Sequence, residues 1–378
     1  MKKLVSVVLT LALAVSFALP AMAEDTIKIG GIGCLTGSAA MYGVGVRNGI
    51  DLYISEINAA GGINGQQVEM IWEDDEGSPD KAANAYNKLV QNDGVCAVLG
   101  PVLTGATDAA ADLAAADGIP MITASATAYY ITTDRPTVFR TCFLDPFQGK
   151  VMADFTAQEL KAAKVAVMYK NGDEYSVGLK DAFVEEAKAV GMEVVAEEAS
   201  ADKDVDYKTQ LTNIKNSGAE VIFLPYYGDV ASYILTQANE LGLDVKFVGG
   251  DGISNITGAI SDKSLLTNMY YVDHFSNSAD SEIVKAYLSG FEALYGEMPA
   301  ISFSATAYDA AKVLCGAIAA AGSTDAQAIA DAIKVSSTEG VTGTITFDEH
   351  NDPIKSGFIL TFDANGEQVF VKQQDPQM

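Results

Sequence analysis

From Thr26 onward the chain alternates short apolar runs of strand length with longer segments whose apolar residues recur every three to four positions. That rhythm leaves few choices. Strands separated by helix-length segments cannot pair as hairpins, so they lie parallel in a sheet covered by helices. Ile27 to Leu35 reads as a strand ending in GCLTGS, and Ile50, Tyr53, Ile54 and Ile57 mark one helix face. Asn58 to Gly65 is a glycine-rich turn and Val68 to Glu73 a strand; Ser78-Pro79 is a helix start with a capping serine. Val95 to Gly100 predicts a strand, followed by a helix through Leu113 and a strand from Pro120 to Thr123. The rhythm restarts around Arg140 to Gly149. Strands are predicted at Val165–Tyr169, Val194–Ala196, Val221–Leu224 and Val245–Gly249, with helices at Val177–Val190, Tyr207–Asn216 and Ala231–Leu241 between them. Helices near Ser281–Tyr295 and Ser304–Ala320 follow. Strands at Thr342–Asp348 and Gly357–Asp363 then lead to the Asn365-Gly366 turn before Val369–Val371. The expected fold class is α/β, with two Rossmann-like halves.

The first residues belong to export rather than to the fold. Lys2 and Lys3 precede an apolar run, Leu4 to Leu19, too short to span a membrane comfortably, and Ala21-Met22-Ala23 is a signal-peptidase site. Residues 1–23 are therefore expected to be a Sec signal peptide cleaved after Ala23, with no cysteine there for a lipoprotein anchor. Loss of its two lysines takes the net charge from -26 to -28. A chain with 24 basic and 50 acidic residues repels phosphate backbones and anionic bilayers, which excludes a general nucleic-acid binder. Only His274 and His350 supply imidazole, and both fall in predicted connections, where solvation is expected. Neither a metal site nor a cofactor is expected. Cys34, Cys96, Cys142 and Cys315 are widely spaced and read as buried free thiols.

Ligands of open α/β sheets sit beyond the carboxyl ends of the strands. Those ends here carry Thr36 to Ser38 with Tyr42, then GPVLTGAT with Thr104, then TASAT with Ser125, Ala126 and Thr127. In the second half they carry Tyr175, Tyr226-Tyr227 and Asp251. Thr104 and the Ser125–Thr127 pair are each expected at a helix start. Plain capping accounts for either alone; together they suggest a cradle for a carboxylate. Asp251 between glycines is a turn aspartate or the counter-charge of an ammonium. Tyr42, Tyr175 and Tyr227 wall a ligand or pack domain edges, and Phe303 suits core or pocket. Gly30-Gly31-Ile32-Gly33 is not a dinucleotide fingerprint, and no GxxxxGK[ST] or GxSxG occurs. Glu73-Asp74-Asp75-Glu76 and Asp202 to Asp206 are expected to be solvated turns.

Taken in order, IKIGGIGCLTGSAAMYG, INAAGGINGQQVE, DDEGSPDKA, GIPMITASATA, YKNGDEYSVGL, ANELGL and GGDGISN resemble the periplasmic branched-chain amino-acid binding proteins of ABC transporters, across nearly the whole mature chain. The resemblance implies the type I periplasmic-binding-protein fold, with two lobes joined by a three-stranded hinge: 24–143 with 275–350, and 144–274 with 351–378. The hinge strands fall near Phe143–Asp145, Asp273–Phe275 and Asp348–Ser356. It implies that Thr104, Ser125, Ala126 and Thr127 hold the ligand carboxylate and Asp251 its ammonium. Tyr42, Tyr175, Tyr227 and Phe303 then line the pocket. Asp251 stands where the family has Glu, one methylene longer, and the cysteines of a disulfide seen in some members are missing near Gly77 and Leu103. The implied protein is a monomeric, non-enzymatic receptor that delivers an aliphatic amino acid to a membrane permease. The alternatives are a ligand-sensing module for amino acids or related amides and small carboxylates, and a secreted α/β hydrolase or mutase.

Overall fold

The computed structural model describes residues 26–277 and 281–375; the export segment and its cleavage site lie outside them. The first run of elements is β1 (Ile27–Gly33), α1 (Ala40–Ala59), β2 (Val68–Asp74), α2 (Pro79–Lys88), β3 (Val98–Leu99), α3 (Thr104–Asp117), β4 (Met121–Thr123) and β5 (Val138–Arg140). Next come α4 (Asp145–Gln158), β6 (Lys164–Lys170), α5 (Glu174–Ala189), β7 (Glu193–Ser200), α6 (Lys208–Ser217), β8 (Val221–Leu224), α7 (Gly228–Glu240), β9 (Lys246–Gly249), α8 (Ile256–Ala259) and β10 (Met269–Asp273). The chain ends with α9 (Glu282–Tyr295), α10 (Phe303–Ala321), α11 (Ala326–Lys334), β11 (Ser337–Gly340), β12 (Gly343–Thr346), β13 (Gly357–Phe362) and β14 (Gln368–Gln374).

Two large sheets result, ordered β2-β1-β3-β4-β5 and β14-β13-β10-β9-β8-β6-β7, with β11 and β12 forming a small antiparallel pair. All large-sheet pairings are parallel except β10–β13 and β13–β14. The chain passes between the large sheets after Arg140, after Asp273 and after Thr346. Each sheet with its helices is called a lobe below.

The strands read as continuous apolar runs because both faces are buried. In β6, Val165 and Val167 pack on α4 and α5, while Ala166 and Met168 pack on the side of α6 and α7. In β8, Val221 and Phe223 alternate with Ile222 and Leu224 in the same way. The first lobe repeats the pattern: Ile27 and Ile29 face α1 and α10, and Ile32 faces α2 and α3.

Several elements differ from the sequence reading. Strand β3 is only Val98–Leu99. Strands β5 and β10 and helices α4 and α11 were not predicted; β5 is three residues long, and α4 carries polar residues on its buried face, including Asp145 and Gln148. Ser125 and Thr127 do not open an α-helix: residues 124–128 form a loop before a three-residue 3-10 turn, Tyr129–Ile131. Leu103, not Thr104, takes the cap position of α3, and Thr104 is its first residue. The Glu73–Glu76 run is not a solvated turn. Asp75 is buried, and Asp74 accepts the N–H groups of Leu35 at 2.9 Å and Glu76 at 2.9 Å and the Thr36 hydroxyl at 2.6 Å, fixing the chain ahead of α1.

Helices α1 and α10 cross closely enough that a Cβ on Gly49 would lie 1.9 Å from the Ser304 carbonyl oxygen. That contact sets the spacing of Tyr42 and Phe303, one near the start of each helix. Gly49→Ala should force the helices apart and cost about 1–3 kcal/mol, read as a lower unfolding midpoint with unchanged circular dichroism.

Candidate functional site

On the first lobe, three strand-end segments converge. Thr123 Oγ1 donates to the Pro101 carbonyl at 2.9 Å and accepts the Ala126 N–H at 3.2 Å, while the Ser125 hydroxyl donates to the Val102 carbonyl at 2.8 Å. The loop of Ser125, Ala126 and Thr127 is thereby stitched to the segment leading to Thr104. Behind it lies Arg140, wholly buried, whose guanidinium donates to the carbonyls of Ala126 (3.0 Å), Ala128 (2.8 Å) and Tyr129 (3.1 Å). In a trans peptide the carbonyl and the next N–H point opposite ways. Turning the Ala126 carbonyl toward Arg140 therefore turns the Thr127 N–H away from it. Thr127 Oγ1 is buried, makes no hydrogen bond of full geometry and faces the Asp145 carboxyl, whose charged form it favours. An anion beside this loop would meet N–H and O–H donors and the free N–H groups at the start of α3.

On the second lobe, Asp251 follows β9 and is buried. Its Oδ1 accepts the Tyr175 hydroxyl at 2.9 Å, its Oδ2 lies 2.9 Å from His274 Nε2, and its N–H donates to Gln148 Oε1 at 3.0 Å. Tyr226 turns into its own lobe and pairs with the Ser200 hydroxyl at 2.8 Å, whereas Tyr227 turns toward the other lobe. Adjacent residues leaving a strand take opposite sides, which separates the two tyrosines.

Aromatic rings join the lobes. Tyr175 stacks on Tyr227 at 5.1 Å, Tyr227 meets Tyr42 edge-on at 5.1 Å, and Tyr42 meets Phe303 at 5.5 Å. The arc continues to His274, 6.0 Å from Phe303, and to Phe143, 3.7 Å from His274. Phe303 thus belongs to both core and site: it packs in the first-lobe core and lends its ring to the arc. The Tyr42 hydroxyl, from the first lobe, has the Gly252 carbonyl and Asn255 Oδ1 as acceptors, each at 2.6 Å, and accepts the Gly228 N–H at 2.9 Å. Burial pushes the hydroxyls of Tyr42, Tyr175 and Tyr227 well above the usual phenol range, so all three remain donors.

The sequence reading missed Arg140, Asp145, Gln148, Asp273 and His274. His274 is fully buried rather than solvated, while His350 is exposed. Charged and polar residues inside the otherwise apolar stretches VFRTCF and YYVDHF were the available signal, since buried charge demands a partner. Asp145 and Asp273 are buried near Asp251, and each has one carboxyl oxygen without a partner. Burial, with Asp251 adding its charge, pushes both up to about 7. Burial pushes the His274 imidazole down. All four cysteines are free; burial pushes the Cys34 thiol up to about 12. Gly77 and Leu103 are neighbours, a Cβ on Gly77 lying 3.0 Å from Leu103 Cδ1. Among the described residues no group of three or more His, Cys, Asp or Glu side chains converges to hold a metal ion.

The family described as Periplasmic binding protein matches residues 26–367. The chain belongs to the periplasmic binding protein family. It is 34% identical to the leucine-, isoleucine-, valine-, threonine- and alanine-binding protein of Pseudomonas aeruginosa, over 89% of each chain. It is 34% identical to the Leu/Ile/Val-binding protein BraC3 of Rhizobium johnstonii, over 93% of this chain and 95% of that one. Among solved structures it resembles the branched-chain amino acid transporter substrate-binding protein LivJ of Streptococcus pneumoniae in complex with isoleucine (TM-score 0.86, 33% identity, 93% of this chain and 99% of that one). The leucine-binding protein LivK of Thermotoga maritima is equally close in shape (TM-score 0.87, 29% identity, 93% and 99%). The two-lobed architecture is that of the type I members of the family.

Two outcomes follow for this periplasmic binding protein. Tyr42→Phe should leave the fold intact but strand the Gly228 N–H and Asn255. It should weaken ligand binding by about 1–2 kcal/mol, measured by calorimetry. The raised Asp145 and Asp273 carboxyls hold protons that the unfolded chain, titrating near 4, gives up earlier. The folded state then binds more protons between about pH 4 and 7, so these groups make stability fall as pH rises through that window. Thermal unfolding of Asp145→Asn/Asp273→Asn between pH 5 and 7.5 should show a flatter decline than wild type.

Proposed function

We propose that this protein captures an aliphatic, most fittingly branched-chain, α-amino acid between its lobes in the periplasm and delivers it, without chemical turnover, to an ABC permease. The observation that carries this reading is the polarity of the cleft. A buried carboxylate, Asp251, stands on the second lobe, while the buried Thr127 hydroxyl and the free N–H groups at the start of α3 stand on the first. A zwitterion matches both poles. Its side chain would lie against the arc of Tyr42, Tyr227, Tyr175 and Phe303. The named ligands of the similar proteins, leucine, isoleucine and valine among them, support the same class.

In this reading Thr104, Ser125, Ala126 and Thr127 take the carboxylate, and Asp251 takes the ammonium. Residues 24–143 with 275–350 and residues 144–274 with 351–378 move as two bodies about the three crossings. Residues 1–23 direct export, and the mature protein works as a monomer. A ligand touching both bodies favours their closed arrangement, because only contacts that differ between the two states shift the equilibrium.

Calorimetry with leucine, isoleucine, valine, threonine and alanine tests the ligand class. Asp251→Asn should nearly abolish binding, since a buried ammonium would lose its counter-charge. Thr127→Ala should cost about 1–3 kcal/mol. Wild-type affinity in a folded Asp251→Asn protein would remove the α-amino acid from the reading. Solution scattering should show a smaller radius of gyration at saturating ligand than without it.

A further inference from the structure

We propose that His274 is a positioning residue of the ligand site: its Nε2–H holds Asp251 in line with the ammonium of a bound amino acid, and only the neutral imidazole serves. This rests on the amino-acid reading given above.

The geometry is closed around the pair. His274 Nε2 and Asp251 Oδ2 are 2.9 Å apart, with side chains 0% and 1% exposed. Strand β10 ends at Asp273, and alternation sends Asp273 and His274 to opposite sides. His274 follows the face of Val272 and lies tilted against Phe143 with ring centroids 3.7 Å apart; Phe303, a member of the ring arc, is 6.0 Å away. The Asp251 carboxylate sits on a single methylene, so its direction depends on what braces it. Tyr175 braces Oδ1, Gln148 holds the backbone, and His274 braces Oδ2.

The proton can be assigned from the partners. His274 Nδ1 is buried with no partner. A proton there would leave a buried donor unmatched and deprive Asp251 of one, whereas a proton on Nε2 satisfies Asp251. A second proton would make a buried cation that competes with the ligand ammonium for the same carboxylate. Burial already opposes that charge. The titratable and charged groups facing the pair are Tyr42 from α1, Cys142 after β5, Asp145 from α4, Tyr175 from α5, Tyr227 ahead of α7, Asp273 next along the chain and Lys355 from the third crossing. Asp145 and Asp273 titrate as well, so the pH profile of the wild type alone does not isolate His274; its ratio to a non-titrating variant does.

The test uses calorimetry with leucine and with 4-methylpentanoate, which is leucine without its ammonium. His274→Gln offers an amide N–H at the place of Nε2 and cannot titrate. It should stay within about threefold of wild type for leucine near pH 7.5, and the wild-type to H274Q affinity ratio should hold through the usual imidazole range and fall only at lower pH, because burial pushes His274 down. His274→Leu should lose about tenfold or more for leucine. For 4-methylpentanoate, which presents no ammonium to Asp251, H274L should cost nothing, because His274 acts through Asp251. Wild-type leucine affinity in H274L, an equal loss for 4-methylpentanoate, or a wild-type to H274Q ratio that stays constant down to the lowest pH at which both proteins remain folded would overturn the role of His274 alone. A wild-type protein that binds 4-methylpentanoate as tightly as leucine would instead overturn the amino-acid reading itself.

Discussion

The buried guanidinium of Arg140 is the contact on which the first lobe's half of the site depends. It lies at the end of β5, where the chain first leaves for the second lobe, and it holds the carbonyls of residues 126, 128 and 129. It also donates to Thr132 Oγ1 at 2.8 Å and pairs with Asp352 at 2.6 Å on the third crossing. Asn351, beside Asp352, donates to the Val138 carbonyl at 3.0 Å. One side chain thus fastens the ligand-facing loop, the last strand of the sheet and one hinge strand to a common point. A buried pair of this kind adds little net stability against an apolar substitute, yet losing one partner costs about 3–5 kcal/mol. Its value is geometric: the loop cannot move without the hinge strand.

Lys355 repeats the device a few residues on. It is buried, donates to the Thr141 carbonyl at 2.8 Å and bonds Thr342 Oγ1. Burial pushes its ammonium down to about 8, with the nearby Asp309 carboxylate pulling it back up. The first and third crossings are therefore tied to each other through polar groups as well as through the packing of Phe139 on Phe347 at 5.4 Å. Such bonds are directional and have few alternative arrangements.

The cleft joins opposite demands. Tyr42 reaches from one lobe and exchanges hydrogen bonds with backbone of the other, and the ring arc lines the region between. Three acids, Asp145, Asp251 and Asp273, are buried in that region, with Asp145 and Asp273 pushed up to about 7 by that burial. Burial strengthens every charge inside, so a cation between the lobes is drawn in more strongly than on an open surface. The balance of the whole chain, 50 acidic residues against 24 basic ones, adds no opposing field.

Periodicity alone determined the two α/β halves. Buried strands and amphipathic helices are local patterns, and Val221–Leu224 stands where its apolar run placed it. The polar strand ends were legible for the same reason, since ligand groups in such sheets follow the strands. Tyr42, Thr104, Ser125, Ala126, Thr127, Tyr175, Tyr227 and Asp251 follow those ends, and Phe303, which opens α10 after another helix, packs on Tyr42 beside them. What sequence could not decide was pairing at long range. Nothing local distinguishes Tyr226 from Tyr227, or tells that His274 would face Asp251 from 23 residues away and Arg140 would meet Asp352 from 212. Those partnerships exist only once the sheets have folded and the crossings have brought their ends together, because a buried charge takes its partner from whatever the packed fold sets beside it.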